Sequence, residues 1–194
     1  KALTRSLTDD GHEVVRLVRG EHSFGTPEIG WQPDQGHIDT EHLEGLDVVV
    51  HLAGENIASG RWTSEKKRAI RDSRVNGTLL LSESLARLSR APSVFLSASA
   101  IGYYGDRGDE SLTEKSPPGK GFLPDVCVNW EQATAHAVEK GIRTVYTRFG
   151  IILDADLRVV ANERYRLEQF VVPVDQALGT FAAKVQEKPH AVMV

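Results

Sequence analysis

"DVVVHLAG", residues 47–54, decides how the rest of the chain is read. Apolar side chains follow one another without alternation, a single histidine interrupts them, and a glycine closes the run. A strand with one wet face alternates apolar and polar residues, whereas a strand covered on both faces does not. The segment therefore predicts a parallel strand with helices on either side. Upstream, Leu3 and Leu7 lie four apart beside Ala2, Gly11 ends the run, and residues 13–19 read as a buried strand. Downstream, "TSEK" from Thr63 offers a hydroxyl cap for a helix running to about residue 89, with Leu81, Leu85 and Leu88 on its buried side. "SVFLSAS", residues 93–99, is a third strand, entered after Pro92. Phe122, Val126, Trp130, Ala133 and Ala137 mark one face of a further helix, a stripe that reads as core. "IRTVYTRFGIIL", residues 142–153, gives a fourth strand. Strand and helix alternate from Lys1 to about Leu153, which predicts a doubly wound α/β sheet with ligands at the carboxyl ends of its strands.

Two stretches interrupt the alternation. Residues 20–46 are polar and broken by glycine and proline, and read as a long surface connection with one helical turn near Glu41. Residues 100–121, "AIGYYGDRGDESLTEKSPPGKG", form a loop of functional length. The last forty or so residues read as a strand in "FVVPV", a helix from Asp175 with Leu178, Phe181, Ala182 and Val185 on one face, and a strand in "HAVMV". No cluster with evident chemistry lies there.

The 194 residues suit one ordinary domain, and 40% apolar with 26% charged residues is a normal globular mixture. A net charge of −4 and a pI near 6.0 give no long-range attraction to nucleic acid or anionic membranes. Cys127, the single cysteine, excludes an internal disulfide framework and reads as a core thiol in a reducing, cytoplasmic setting. No apolar run approaches the roughly 20 residues of a membrane span. No histidine or carboxylate partner falls at metal-ligand spacing from His51, so no metal site is expected and His51 reads as a satisfied core residue.

Three predicted strand ends converge on one crevice: Val18-Arg19, Leu52-Ala53-Gly54 and Ser97-Ala98-Ser99. At the first, an acid would select a free ribose 2′-hydroxyl and an arginine would accept a 2′-phosphate; a solvated surface residue is the alternative for Arg19. Gly54 permits close approach of a flat ligand, or simply turns the chain. Ser99 either polarises a substrate or satisfies loop backbone. Tyr103 and Tyr104, between glycines in "GYYG", hold a phenol over the crevice, or pack one ring and expose the other.

Taken together, "GHEVVRLVR", "WQPDQGHID", "VVVHLAGENI", "RW", "SRVNGT", "SASAIGYYG", "VCVNWE" and "TRFGIIL" resemble the extended short-chain dehydrogenase/reductase superfamily. The similarity is to its atypical branch labelled nucleoside-diphosphate-sugar epimerase, some members of which carry a cell-division-inhibitor label. Eight segments in the branch's order make the resemblance specific over roughly the first 150 residues. It implies a Rossmann fold, a nicotinamide dinucleotide and, through Arg19, NADP. Arg19, Ile38, Leu52, Ala53 and Gly54 would line the adenosine and ribose. Ser99, Tyr103 and Tyr104 would face the nicotinamide and the substrate, with Arg148 at the cofactor nearby.

Three departures qualify the resemblance. Members begin with a strand and a G-x-x-G-x-x-G turn that would end just before Lys1, and both are expected to be missing from this sequence. Either the sequence is a fragment, or it records only the ordered part of a longer protein; the second is expected, because losing a central strand would expose its neighbours. The Rossmann portion is expected to span residues 1–153, leaving residues 154–194 as an unassigned tail without the branch's usual continuation. Finally, the superfamily's Tyr-x-x-x-Lys pair is replaced by "LPDVC", Leu123 to Cys127. By elimination, Tyr103 or Tyr104 would act as acid/base group if the protein turns over. The expectation is an NADP(H)-binding protein of the epimerase or oxidoreductase type with a small-molecule substrate, a nucleotide sugar being one candidate. The alternative is a catalytically silent NADP(H) sensor or scaffold. Oligomeric state is left open.

Overall fold

The computed structural model describes residues 2–20, 27–150, 152–153, 172–173 and 190–193. A first helix, α1 (Ala2–Asp9), turns at Gly11, φ +85°, into β1 (Glu13–Arg19). Next come β2 (Glu28–Gln32), β3 (His37–Ile38) and β4 (Val48–His51). Helix α2 (Ser64–Arg87) follows, capped by Thr63 Oγ1, which accepts from the Lys66 amide at 3.2 Å. After β5 (Val94–Ala100), a 3₁₀ turn (Ile101–Tyr104) and a long loop lead to α3 (Phe122–Gln132) and α4 (Ala135–Glu139). The remaining strands are β6 (Arg143–Phe149), β7 (Ile152–Leu153), β8 (Val172–Pro173) and β9 (His190–Met193).

Seven strands form one sheet in the order β3-β2-β1-β9-β4-β5-β6, parallel except for β3, while β7 and β8 pair separately. Val48, Val49 and Val50 are wholly buried or nearly so, as the unbroken apolar run requires. Val48 and Val50 face α1 through Leu3 and Leu7, while Val49 faces Leu81, Leu85 and Phe95 on the α2 side. The two sides make the doubly wound core. α3 is tied to α2 by the Trp130 indole, which donates to Thr78 Oγ1 at 2.9 Å, and the Ala137 amide donates to Ser82 Oγ at 2.9 Å.

The place between β1 and β4 is taken by β9, from "HAVMV", which pairs with both. Three expectations are revised. Residues 20–46 are not all surface connection, since β2 and β3 add strands whose Ile29, Trp31 and Ile38 enter the core. The expected single helix of residues 122–137 breaks after Gln132, where Thr134 Oγ1 donates to the Glu131 carbonyl at 2.8 Å. The strand expected over residues 142–153 divides into β6 and β7. The tail helix expected from Asp175 lies outside the described residues.

Candidate functional site

β4, β5 and β6 end at one edge of the sheet, and the long loop after the 3₁₀ turn closes over it. Gly119 has no room for a side chain there: a Cβ would meet the Tyr104 carbonyl oxygen at 2.1 Å, and its amide donates to the Tyr103 carbonyl at 2.9 Å. The loop thereby clamps the backbone of the tyrosine pair. Arg148, near the end of β6, holds it from the other side. Its Nη1 donates to Tyr104 Oη at 2.9 Å and to the Glu114 carbonyl at 3.1 Å. Its guanidinium carbon lies 3.5 Å from the Tyr103 ring centroid, a cation–π contact.

Glu131 on α3 balances Arg148. Both carboxylate oxygens accept from it, Nε to Oε1 and Nη2 to Oε2, each at 2.8 Å, and Ser99 Oγ donates to Oε1 at 2.6 Å. The pKa of Arg148 is pushed above its ordinary value, chiefly by Glu131. Ser99, Tyr103, Tyr104 and Arg148 thus meet in one network. An open recess of about 490 Å³ lies beside it, lined by Tyr104, Leu112, Thr113, Glu114, Tyr146 and Arg148. Glu131 was not among the sequence candidates, although "VCVNWE" contains it. Cys127 is buried, and burial first and Glu131 second push its thiol up to about 11, so it stays protonated and unreactive.

The other sequence candidates lie towards β1. Arg19 ends β1 with its side chain 57% exposed and makes an ion pair at 3.9 Å with Asp34. Leu52 follows β4 with 39% of its surface exposed, an apolar side chain at the edge where ligands bind in such sheets. Ile38 is a core residue, 8% exposed. Ala53 packs against the core, and Gly54 has a flat group beside it, though from the chain itself: a Cβ on Gly54 would lie 3.0 Å from Cζ of Arg74. His51 is not the satisfied histidine expected. It is fully buried against Trp31 and Phe95, and neither ring nitrogen has a hydrogen-bond partner among the described residues. Burial lowers its pKa to about 4, which keeps it neutral. Among the described residues, no group of three or more histidine, cysteine or carboxylate side chains could hold a metal, and no helix is long and apolar enough to cross a membrane.

The model of the NAD dependent epimerase/dehydratase family matches residues 1–149. The chain belongs to that family. Among its relatives, the epimerase family protein Mb2239 of Mycobacterium bovis is 40% identical over 152 residues, covering 78% of this chain and 50% of that protein. The chain thus spans about half the length of the curated relatives it matches. Among solved structures, the nucleoside-diphosphate sugar epimerase of Corynebacterium glutamicum superposes with a TM-score of 0.67 at 27% identity, over 97% of this chain and 48% of that one. Human epimerase family protein SDR39U1 (isoform 2), solved with NADPH, gives a TM-score of 0.78 at 22% identity, over 99% and 68%. Shared topology with these structures accounts for the doubly wound sheet.

Proposed function

We propose that the chain supplies the cofactor-binding part of an NADP-dependent epimerase or oxidoreductase acting on a small carbonyl- or hydroxyl-bearing substrate, with nucleotide sugars the first class to try. The observation that carries the reading is Tyr104 Oη held by Arg148 at the carboxyl edge of the sheet. Family membership and the NADPH in the human neighbour support the cofactor. The residues present fit it: Leu52 offers exposed apolar surface for an adenine, and among the described residues Arg19 makes only a long contact to Asp34, leaving donors for a 2′-phosphate.

A guanidinium only donates, so Tyr104 Oη accepts from Arg148, and the phenolic proton is directed elsewhere. A substrate oxygen in the adjoining recess would receive that proton when a carbonyl is reduced and return it when a carbinol is oxidised. The nicotinamide ring, when bound, supplies or takes the hydride. Arg148 then faces the charge left on Tyr104 Oη. Ser99, 3% exposed, donates a hydrogen bond to Glu131 and so acts on Arg148 through that carboxylate rather than on substrate directly. Tyr103 serves as the surface against which Arg148 stacks.

The test follows NADPH absorbance in the full-length protein with a panel of nucleotide sugars and small carbonyl compounds. Tyr104→Phe should lower kcat about a hundredfold or more, the range of general acid–base catalysis, and Tyr103→Phe only a few-fold. Full activity in Tyr104→Phe would overturn the assignment. The lost Tyr-x-x-x-Lys favours a second reading, a silent NADP(H) sensor, which the same assay identifies by NADPH binding without turnover on any substrate.

A further inference from the structure

Arg148 and Arg74 both reach this edge of the sheet, and they are treated oppositely. Arg148 has a carboxylate on two of its nitrogens. Among the described residues Arg74, on α2, has none: its Nη1 donates to the carbonyls of Glu55 at 3.0 Å and Ile70 at 3.1 Å. Its guanidinium lies flat against Gly54 and 5.1 Å from the Trp130 ring centroid. The Nε and Nη2 groups have no hydrogen-bond partner among the described residues, and no carboxylate among them lies within the 4.0 Å of an ion pair. The neighbouring carboxylate, Glu55, is bound at 2.6 Å to Lys66. Burial is the largest influence on Arg74 and pushes its pKa down, the reverse of Arg148.

A partly buried cation with no carboxylate in ion-pair contact among the described residues costs stability, even with Glu55 acting on it from farther away, and the fold spends two close approaches, Gly54 and Trp130, on holding this one in place. Nε–H and one Nη2–H lie side by side on a guanidinium, the fork that matches two oxygens of a phosphate or carboxylate. We infer that Arg74 binds an anionic oxygen group, phosphate or carboxylate, of the molecule that fills the crevice. It lies between Gly54, after the end of β4, and Trp130 on α3. The inference rests on the proposed function only for the location of the crevice. The group can come from the cofactor's pyrophosphate or from the substrate, and the experiment separates these sources.

Calorimetric titrations of the full-length protein with NADPH and with UDP, for wild type, Arg74→Gln and Arg74→Lys, provide the test, with circular dichroism to check folding. Arg74→Gln should weaken one ligand by about ten- to a hundredfold, and Arg74→Lys should recover part of the loss. A loss confined to NADPH assigns the cofactor, and a loss confined to UDP assigns a substrate phosphate. Affinities for both within twofold of wild type would overturn the inference and leave Arg74 as a strut between Gly54 and Trp130. Should Arg74→Gln not fold, phenylglyoxal labelling of wild type decides: NADPH, UDP or inorganic phosphate should protect Arg74 from modification. Absence of protection by all three would overturn it. Wild type that fails to bind NADPH while phosphate or UDP still protects Arg74 removes the NADP reading and keeps this one.

Discussion

At the residue scale, the site is a chain of charge and hydrogen bonds in which each member explains the next. Ser99 donates to Glu131, Glu131 fixes Arg148, and Arg148 positions both tyrosines. Glu131→Gln removes the charge that balances Arg148 and leaves that guanidinium partly buried without a carboxylate. It should destabilise the fold by about 3 kcal/mol or more, measured by chemical denaturation. Ser99, Tyr103 and Tyr104 could be singled out because they sit at a strand end or between glycines, and Arg148 through the resemblance; the structure brings the four together. Glu131 could not be, because it acts through contacts 17 and 32 residues distant along the chain and looks like any helix-surface acid. His51 makes a different prediction. Its neutral ring does not take a proton until about pH 4, whereas the unfolded chain takes one below its ordinary value of 6.5. Between those values the unfolded state binds more protons, so stability falls as pH falls through this window and levels off below it. The loss amounts to about 3 kcal/mol at most. Denaturation midpoints from pH 7 to 4 should show this slope in wild type and a flatter one in His51→Phe.

At the scale of elements, the long loop and the 3₁₀ turn behave as one piece. Arg107 braces the loop internally through Glu110 and the Pro117 carbonyl, Arg148 takes the Glu114 carbonyl, and Gly119 lies on the tyrosine backbone. Gly119→Ala cannot be absorbed by a flexible side chain, because the obstructing atoms are backbone. It should cost about 2–3 kcal/mol and alter tyrosine near-UV circular dichroism, while leaving helix content unchanged. The loop's length was readable from its glycines and prolines, but which glycine bears the contact was not, since no local pattern distinguishes Gly119 from Gly121. β2 was missed for a related reason: five residues between Pro27 and Pro33 offer too short an alternation, with Ile29 and Trp31 its only inward pair. The helix break at Thr134 depends on hydrogen bonds to Glu131 and Tyr146, one of which crosses to β6.

At the scale of the whole molecule, the sheet is completed by a strand from far along the sequence. The apolar run Val48–Val50 requires both faces of β4 to be covered, and at its edges β4 pairs with β5 and β9. That the neighbour would be "HAVMV" could not be read from the sequence, because strand order is set by long-range pairing and not by local pattern. A proline at position 192 would remove a ladder donor from a strand paired on both sides, so Val192→Pro should unfold the sheet cooperatively, whereas the same change in an edge strand would be milder. Hydrogen exchange should find the amides of residues 191–193 protected to the same degree as those of β4. The central claim concerns the crevice that this sheet builds, a site for a nicotinamide dinucleotide with Arg19 at its 2′-phosphate. Calorimetric titration of the full-length protein with NADPH and NADH, in wild type and Arg19→Ala, tests it most directly. The account predicts tighter binding of NADPH than NADH, with the ratio falling about ten- to a hundredfold in Arg19→Ala; no binding of either nucleotide by the folded wild type would contradict it.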